Sequence, residues 1–295
     1  MDKLDSQPLF ASPKTRQLLA VVAGMWLVLS MLMGLAIARD TLFATDPLVT
    51  PVFYLVVFGG SSLWVGWRYR RRQVNLKTLL GPWPQSLNWA GLLGLWVLSF
   101  MFSLGAFQVS FTLLSYAFPN YVTMMLQDSL FLTADEAALP GLYNLLMAFV
   151  LVVAAPVLEE FLFRGFLLHR WSTRWNLPAA VILTSVLFGV LHGNIIGLTM
   201  FGLVMALLYL RTSSLGVAIA VHALNNAIAG SLEVISRLTV GNEPTSLADF
   251  RSTIWLGLIL LAGSIPFLIK FIRRNWPPRQ TPLPYFVNRD RSLPL

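Results

Sequence analysis

The sequence predicts an all-α polytopic membrane protein, about eight transmembrane helices around a polar intramembrane cavity. Three observations predict it. Hydrophobic residues make up 56% of the 295-residue chain and charged ones 12%, with mean hydropathy +0.69; soluble domains carry roughly 25% charged residues. The charges are clumped, leaving several apolar runs of about 20 residues, the length that crosses a hydrocarbon core. Within those runs stand a few ionisable side chains, which are costly at bilayer depth and so are candidates for function. Such long, uniform runs read as helices and not as barrel strands, since backbone in lipid must satisfy its own hydrogen bonds.

Residues 1–16 are polar, carry Pro8 and Pro13, and read as a cytoplasmic N-terminal tail. A first span at about 17–38 ends in Ala36-Ile37-Ala38, which resembles a signal-peptidase site. Its apolar stretch exceeds the roughly 7–15 residues of a signal sequence, so an uncleaved helix is expected. Further spans are expected at about 48–67, 88–118, 140–168, 178–193, 195–210, 214–235 and 252–271. The third exceeds one crossing, which predicts a tilted or protruding helix. The loop 119–139 holds Asp128, Asp135 and Glu136 and no base. Gly189 and Gly193 give the fifth span a small-xxx-small face for close helix packing. Residues 17–272 thus form one membrane domain with a motif core at 140–235 and no internal repeat. Beyond it, Pro277, Pro278, Pro282, Pro284 and Pro294 among charges predict a flexible cytoplasmic tail, 273–295.

The formal charge of +8 is distributed by side. With the N-terminus inside, the inner segments, counted with Lys270 at the edge of the last span, hold 17 of the 21 Lys and Arg residues. The outer ones hold Arg39, Arg237 and Arg251. That is a positive-inside pattern with both termini cytoplasmic, in a plasma or inner membrane. Arg68-Tyr69-Arg70-Arg71-Arg72 then reads as a topology anchor beside anionic lipid, and nucleic acid is not an expected partner. There is no cysteine, which excludes disulfides and thiolate metal sites.

Three strings carry the chemistry: Glu159-Glu160-x-x-x-Arg164, Phe188-x-x-x-His192 and His222-x-x-x-Asn226. Glu160 and Arg164, at i and i+4, are within pairing reach on one helix face. Glu159 is turned about 100° away and left free to face a polar cavity, as a general base for water requires. The plain alternative is a buried ion pair with one extra carboxylate that only holds helices together. His222 and Asn226 emerge from one face of their helix as two neutral polar groups able to form an oxyanion hole, or a mere helix-to-helix hydrogen bond. Phe188 and His192 share a face of the fifth span. A lone histidine there is commonly a satisfied core residue, but with Glu159 it could jointly hold and deprotonate a water. His169, beside Arg170, is expected at the cytoplasmic interface with no chemical part. Glu159, His192 and His222 also match a catalytic zinc site in ligand type, although the helical His-Glu-x-x-His arrangement is absent; no cofactor is expected, and zinc stands as the alternative.

As a set, in this order and spaced 33 and 30 residues apart from Glu159 to His192 to His222, the strings resemble the CPBP family. This is the CAAX-protease and bacteriocin-processing group of intramembrane proteases, which includes the type II CAAX prenyl endopeptidases. The resemblance covers roughly residues 140–235. It implies an eight-helix bundle enclosing a membrane cavity, and peptide-bond cleavage without a covalent intermediate. Carried over, Glu159 and His192 would activate water, His222 and Asn226 would stabilise the oxyanion, and Glu160, Arg164 and Phe188 would support the site. Type II CAAX enzymes remove a tripeptide from prenylated C-termini, while other members act on unprenylated substrates and some are scaffolds; no residue here indicates prenyl specificity. The expected function is therefore an intramembrane endopeptidase for a membrane-associated peptide or protein. Its alternative is a non-catalytic scaffold or bacteriocin-immunity-type binding protein. A transporter is disfavoured by the lack of paired repeats.

Overall fold

The computed structural model describes residues 9–39, 46–127, 129–131, 139–240 and 246–291. The acidic residues expected in the outer loop, Asp128, Asp135 and Glu136, lie outside them. The described chain is helical, without a strand. It is an integral, multi-pass, all-α membrane protein. The helices are α1 (Thr15–Ala38), α2 (Val49–Arg71), α3 (Leu76–Leu80), α4 (Trp89–Ala117), α5 (Pro119–Gln127) and α6 (Pro140–Arg174). After them come α7 (Leu177–Val190), α8 (Ile195–Thr212), α9 (Leu215–Val240), α10 (Leu247–Asn275) and α11 (Pro284–Arg291).

Seven helices, with α1 counted from Leu9, are long and apolar enough to cross a membrane among the described residues: α1, α2, α4, α6, α8, α9 and α10. The expected fifth span is the exception. α7 has only 14 residues, about 21 Å of rise against a hydrocarbon core of about 30 Å. It turns back through residues 191–194 into α8, so the pair forms a hairpin whose tip carries His192. Local chemistry sets the starts: Asn88, Asn176 and Asn194 cap α4, α7 and α8 by accepting the backbone N–H of Gly91, Ala179 and Gly197. Gly189 is where the hairpin closes. A Cβ there would sit 2.5 Å from the Ile195 carbonyl oxygen and 2.7 Å from the Thr199 nitrogen, so only glycine admits α8 this close. Gly193, by contrast, meets only the flexible Met125 tip. On the other flank α4 packs on α10 through Gly105 and Gly257, and Gln108 Nε2 donates to the Phe250 carbonyl at 2.7 Å.

The segment after 272 departs from the flexible tail its prolines suggest. α11 folds and docks: Tyr285, Phe286 and Asn288 are buried, and Asn288 Nδ2 donates to the Ser213 carbonyl at 2.8 Å and to the Thr78 carbonyl at 3.1 Å. Phe10 packs against Tyr285 and Phe286 with ring centroids 5.2 and 5.9 Å apart. Both ends of the described chain therefore meet on one face of the bundle. His169, expected at the interface, is instead fully buried in the same cluster. Its Nδ1 lies 2.8 Å from the Arg164 carbonyl, with Phe10 at 4.6 Å from its ring.

Candidate active site

Helix length brings the site residues level. α6 runs on to Arg174, so Glu159 lies 15 residues above that end and His192 lies 15 residues above Leu177; each is about 22 Å up. His222 is only seven residues into α9, about 10 Å. Its helix starts higher, at a buried Ser213-Ser214 turn that α3 and α11 cover from below. A Cβ on Gly81, at φ 71°, would run into the Ser213 carbonyl there.

The Glu159 carboxylate is the centre of the arrangement. Its Oε2 faces His192 Nε2 at 3.8 Å and His222 Nε2 at 3.9 Å, too far for direct hydrogen bonds. That oxygen is buried without a hydrogen bond from any described residue. Its Oε1 accepts a 2.8 Å hydrogen bond from the Tyr54 hydroxyl of α2. Glu160, one residue on, points elsewhere: its Oε1 accepts from Arg164 Nη1 at 2.9 Å and lies 2.9 Å from His222 Nδ1. Arg164, fully buried, also donates from Nη2 to the Gly202 carbonyl at 2.7 Å and stands 4.9 Å from the centre of the Phe188 ring. The i, i+4 pair expected from sequence is thus present, and it has a third member, His222.

Phe188 ties the cluster together. Its ring stacks on His192 at 4.5 Å and meets His222 edge-on at 5.8 Å. His192 itself lies past the end of α7, in the turn, and not on a helical face shared with Phe188. Its Nδ1 is held 2.6 Å from the Phe188 carbonyl. A carbonyl only accepts, so Nδ1 carries the proton and Nε2 is the lone-pair nitrogen of the neutral ring. His222 Nδ1 against the paired Glu160 carboxylate gives the same tautomer, so neutral His222 accepts at Nε2; donation to an oxyanion needs the imidazolium, with Glu160 alongside as counter-charge. Asn226 donates from Nδ2 to the Leu151 carbonyl at 2.9 Å. That carbonyl is spare for a local reason. α6 slips into i→i+5 bonding at Val150–Ala154, the Ala155 N–H goes to Val150, and the next position is Pro156, which has no N–H to give. A second amide hydrogen of Asn226 remains.

Tyr54, Glu159, Phe188, His192, His222 and Asn226 line a cavity of about 520 Å³, within the roughly 300–1,000 Å³ usual for ligand pockets. A larger one, about 730 Å³, lies beside the α3–α4 connection, lined by Trp83, Arg211, Arg274 and Arg291, and holds none of the motif residues. Three contributors escaped the sequence reading. Tyr54 and Asn194 are common polar residues with no motif around them; Asn194 bridges to α4 through the Ser103 carbonyl at 2.8 Å. Glu233, seven residues beyond Asn226, accepts at one oxygen from the Ser129 hydroxyl at 2.6 Å, the Leu130 N–H at 2.8 Å and the Phe131 N–H at 3.3 Å. It thereby ties Leu130 into the cavity wall. Its place two helical turns beyond Asn226 was a legible signal for that residue.

For a metal, Glu159, His192 and His222 are suitable in type. Their 3.8 and 3.9 Å separations exceed the roughly 3.3–3.4 Å between ligand atoms of a tetrahedron with bonds of about 2.0–2.1 Å. Among the described residues no group of three or more His, Cys, Asp or Glu is arranged to hold one.

Residues 141–228, which enclose every residue of the three strings, match the model of a family described as type II CAAX prenyl endopeptidase Rce1-like. That helical core is similar to the CAAX protease-like family. A relative from Bacillus subtilis (strain 168), named "Putative membrane peptidase YdiL", is 32% identical over 84 residues. Those residues are 28% of this chain and 34% of the relative, so the chain spans about a third of that relative's length. No solved structure matches the chain. The family-level likeness is to membrane proteases, and it rests on this helical core.

Proposed function

We propose that the protein is an intramembrane endopeptidase that hydrolyses a peptide bond of a membrane-associated peptide or protein by water activated between Glu159 and His192. One observation carries the reading: Glu159 Oε2 and the His192 and His222 Nε2 atoms converge at 3.8–3.9 Å on the wall of a cavity buried among apolar helices. Polar atoms spaced in this way are too far apart to bond each other and leave a place for a bridging water. In the proposed step Glu159 takes a proton from water, and the oxygen adds to the scissile carbonyl carbon. The oxyanion accepts from protonated His222 and from the free amide hydrogen of Asn226. Collapse breaks the C–N bond, the proton passes to the leaving amine, and a carboxylate and an amine leave. Tyr54 and Phe188 position the carboxylate and the imidazoles. No cofactor takes part.

Two other readings have support. Metal held by Glu159, His192 and His222 is favoured by the ring tautomers, since both Nδ1 atoms are engaged and both Nε2 atoms face the carboxylate, as in histidine ligands with ordered outer partners. A chelator abolishes cleavage in that case and leaves it unchanged in ours. A scaffold is favoured by the Asn226–Leu151 and Glu160–Arg164 contacts, which would hold helices together without chemistry. Glu159→Gln separates it, because the amide keeps the shape and removes the base. Mass spectrometry of membranes carrying either form reads the result: peptide termini that vanish with Glu159→Gln support the protease, and an unchanged set of termini in a folded variant overturns it.

A further inference from the structure

The cavity is one-sided. Tyr54 stands five residues from the start of α2, Met147, Val150 and Leu151 lie in the first half of α6, and Ala229 and Leu232 lie in the second half of α9. All three stretches lie toward the face opposite the one where Phe10 meets Tyr285, and Leu130, in the α5–α6 connection, lines the cavity on that side. Toward the termini the way is filled. Glu160, Arg164, Phe166, Val204, Leu207 and Leu215 are each 0–1% exposed. The basic residues mark that filled face as cytoplasmic: Arg68, Arg70, Arg71, Arg72, Lys77 and Arg274 lie at the ends of helices that reach it.

We infer that the substrate reaches the site from the extracytoplasmic face, so that the bond cut lies in an extracytoplasmic or outer-leaflet segment of a membrane peptide or protein, and not at the lipidated C-terminus of a cytoplasmic one. This rests on the protease reading for the cut and on geometry and charge alone for the side. The apolar walls supplied by Phe100, Leu104, Met147 and Leu198 suit an extended apolar stretch flanking the scissile bond. The site's volume admits a short peptide segment and no folded domain. Hydrolysis at this face consumes only water and yields one carboxylate and one amine.

The absence of cysteine makes the side directly readable. Ala229→Cys and Leu104→Cys place a thiol on the cavity wall, and Gln280→Cys places one near the termini. Each is labelled with a membrane-impermeant maleimide in intact cells and in inside-out vesicles, in the wild-type and Glu159→Gln backgrounds. The expected result is wall cysteines reacting at least tenfold faster in intact cells, and Gln280→Cys faster in the vesicles. Wall cysteines that react only in inside-out vesicles overturn the inference whether or not the chain cleaves anything. Glu159-dependent termini located in cytoplasmic segments also overturn it. Labelling from outside with no Glu159-dependent terminus anywhere leaves the side of access standing and removes the protease reading beneath the substrate class.

Discussion

Tyr54→Phe is the sharpest single test of the site, because it removes one oxygen and leaves the ring in place. The Tyr54 hydroxyl is a 2.8 Å donor to Glu159 Oε1, and the ring stacks on Phe58 at 4.4 Å, so the phenylalanine keeps its packing. Hydrogen bonds to charged groups contribute about 1.5–3 kcal/mol. Without the hydroxyl neither carboxylate oxygen takes a hydrogen bond from the described residues, since Oε2 already has none. The carboxylate is then free to turn toward either imidazole. If the bond acts by aiming Oε2, its loss falls on the reacting geometry, and 1.4 kcal/mol is a factor of ten in rate. We therefore expect turnover to fall roughly 10–150-fold, with substrate binding and the detergent-solubilised melting temperature little changed. The assay is the yield over time of a terminus that depends on Glu159, measured beside wild type and Glu159→Gln. Activity within twofold of wild type, while Glu159→Gln abolishes it, would refute the idea that Tyr54 positions the base.

Two further outcomes follow from contacts outside the motifs. Gly189→Ala drives a Cβ against the Ile195 carbonyl and Thr199; overpacking of this kind costs about 1–3 kcal/mol, and a shift of about 1 Å at His192 costs on the order of 100-fold in rate. Because two of the three close atoms are backbone, Thr199→Ala should not rescue the variant, and recovery of activity in the double variant would show the clash to be only with the side chain. Glu233→Gln, read by limited proteolysis of the purified protein and by turnover, should loosen residues 129–131. We expect cleavage there to quicken several-fold while the motif contacts and the melting temperature hold; unchanged protection would mean that the loop is held without the charge.

What was legible in the sequence was chemistry at fixed spacing, and what was hidden was depth. Glu160 with Arg164 and His222 with Asn226 share faces because a helix repeats every 3.6 residues, so their grouping could be read from numbering. The apolar runs gave the helices for the same reason. The length of α7 could not be read in that way: residues 178–193 are apolar enough for a span, but nothing in their composition says that the helix stops at Val190. That stop is tertiary. It needs the Asn194 cap and a glycine at 189 that lets α8 fold back. The proline-rich end is a second instance. Proline content argues against regular structure, yet Tyr285, Phe286 and Asn288 find a surface made by Phe10, Thr78 and Ser213, which only the folded bundle presents.

The short α7 and the long α6 act on the same point. With α7 as a full span His192 would sit on a helix face, and with α6 ending at 168 only a tilt could bring Glu159 to its height. With α7 short and α6 continuing to Arg174, both residues stand about 22 Å above the ends of their helices, and His192 lies in a turn where its ring is fixed by a backbone carbonyl and by Phe188. A side chain in a turn at the tip of a hairpin also has one face unencumbered by its own helix, and for His192 that face is the cavity. The break in α6 at Val150–Pro156 works in the same direction. It releases the Leu151 carbonyl to anchor Asn226, which sets α9 against α6 at the height of Glu159. Irregular backbone is tolerated at membrane depth only where protein or a cavity surrounds it, and two irregular stretches here, the α7–α8 turn and the α6 slip at Val150–Ala154, border the cavity that holds Glu159.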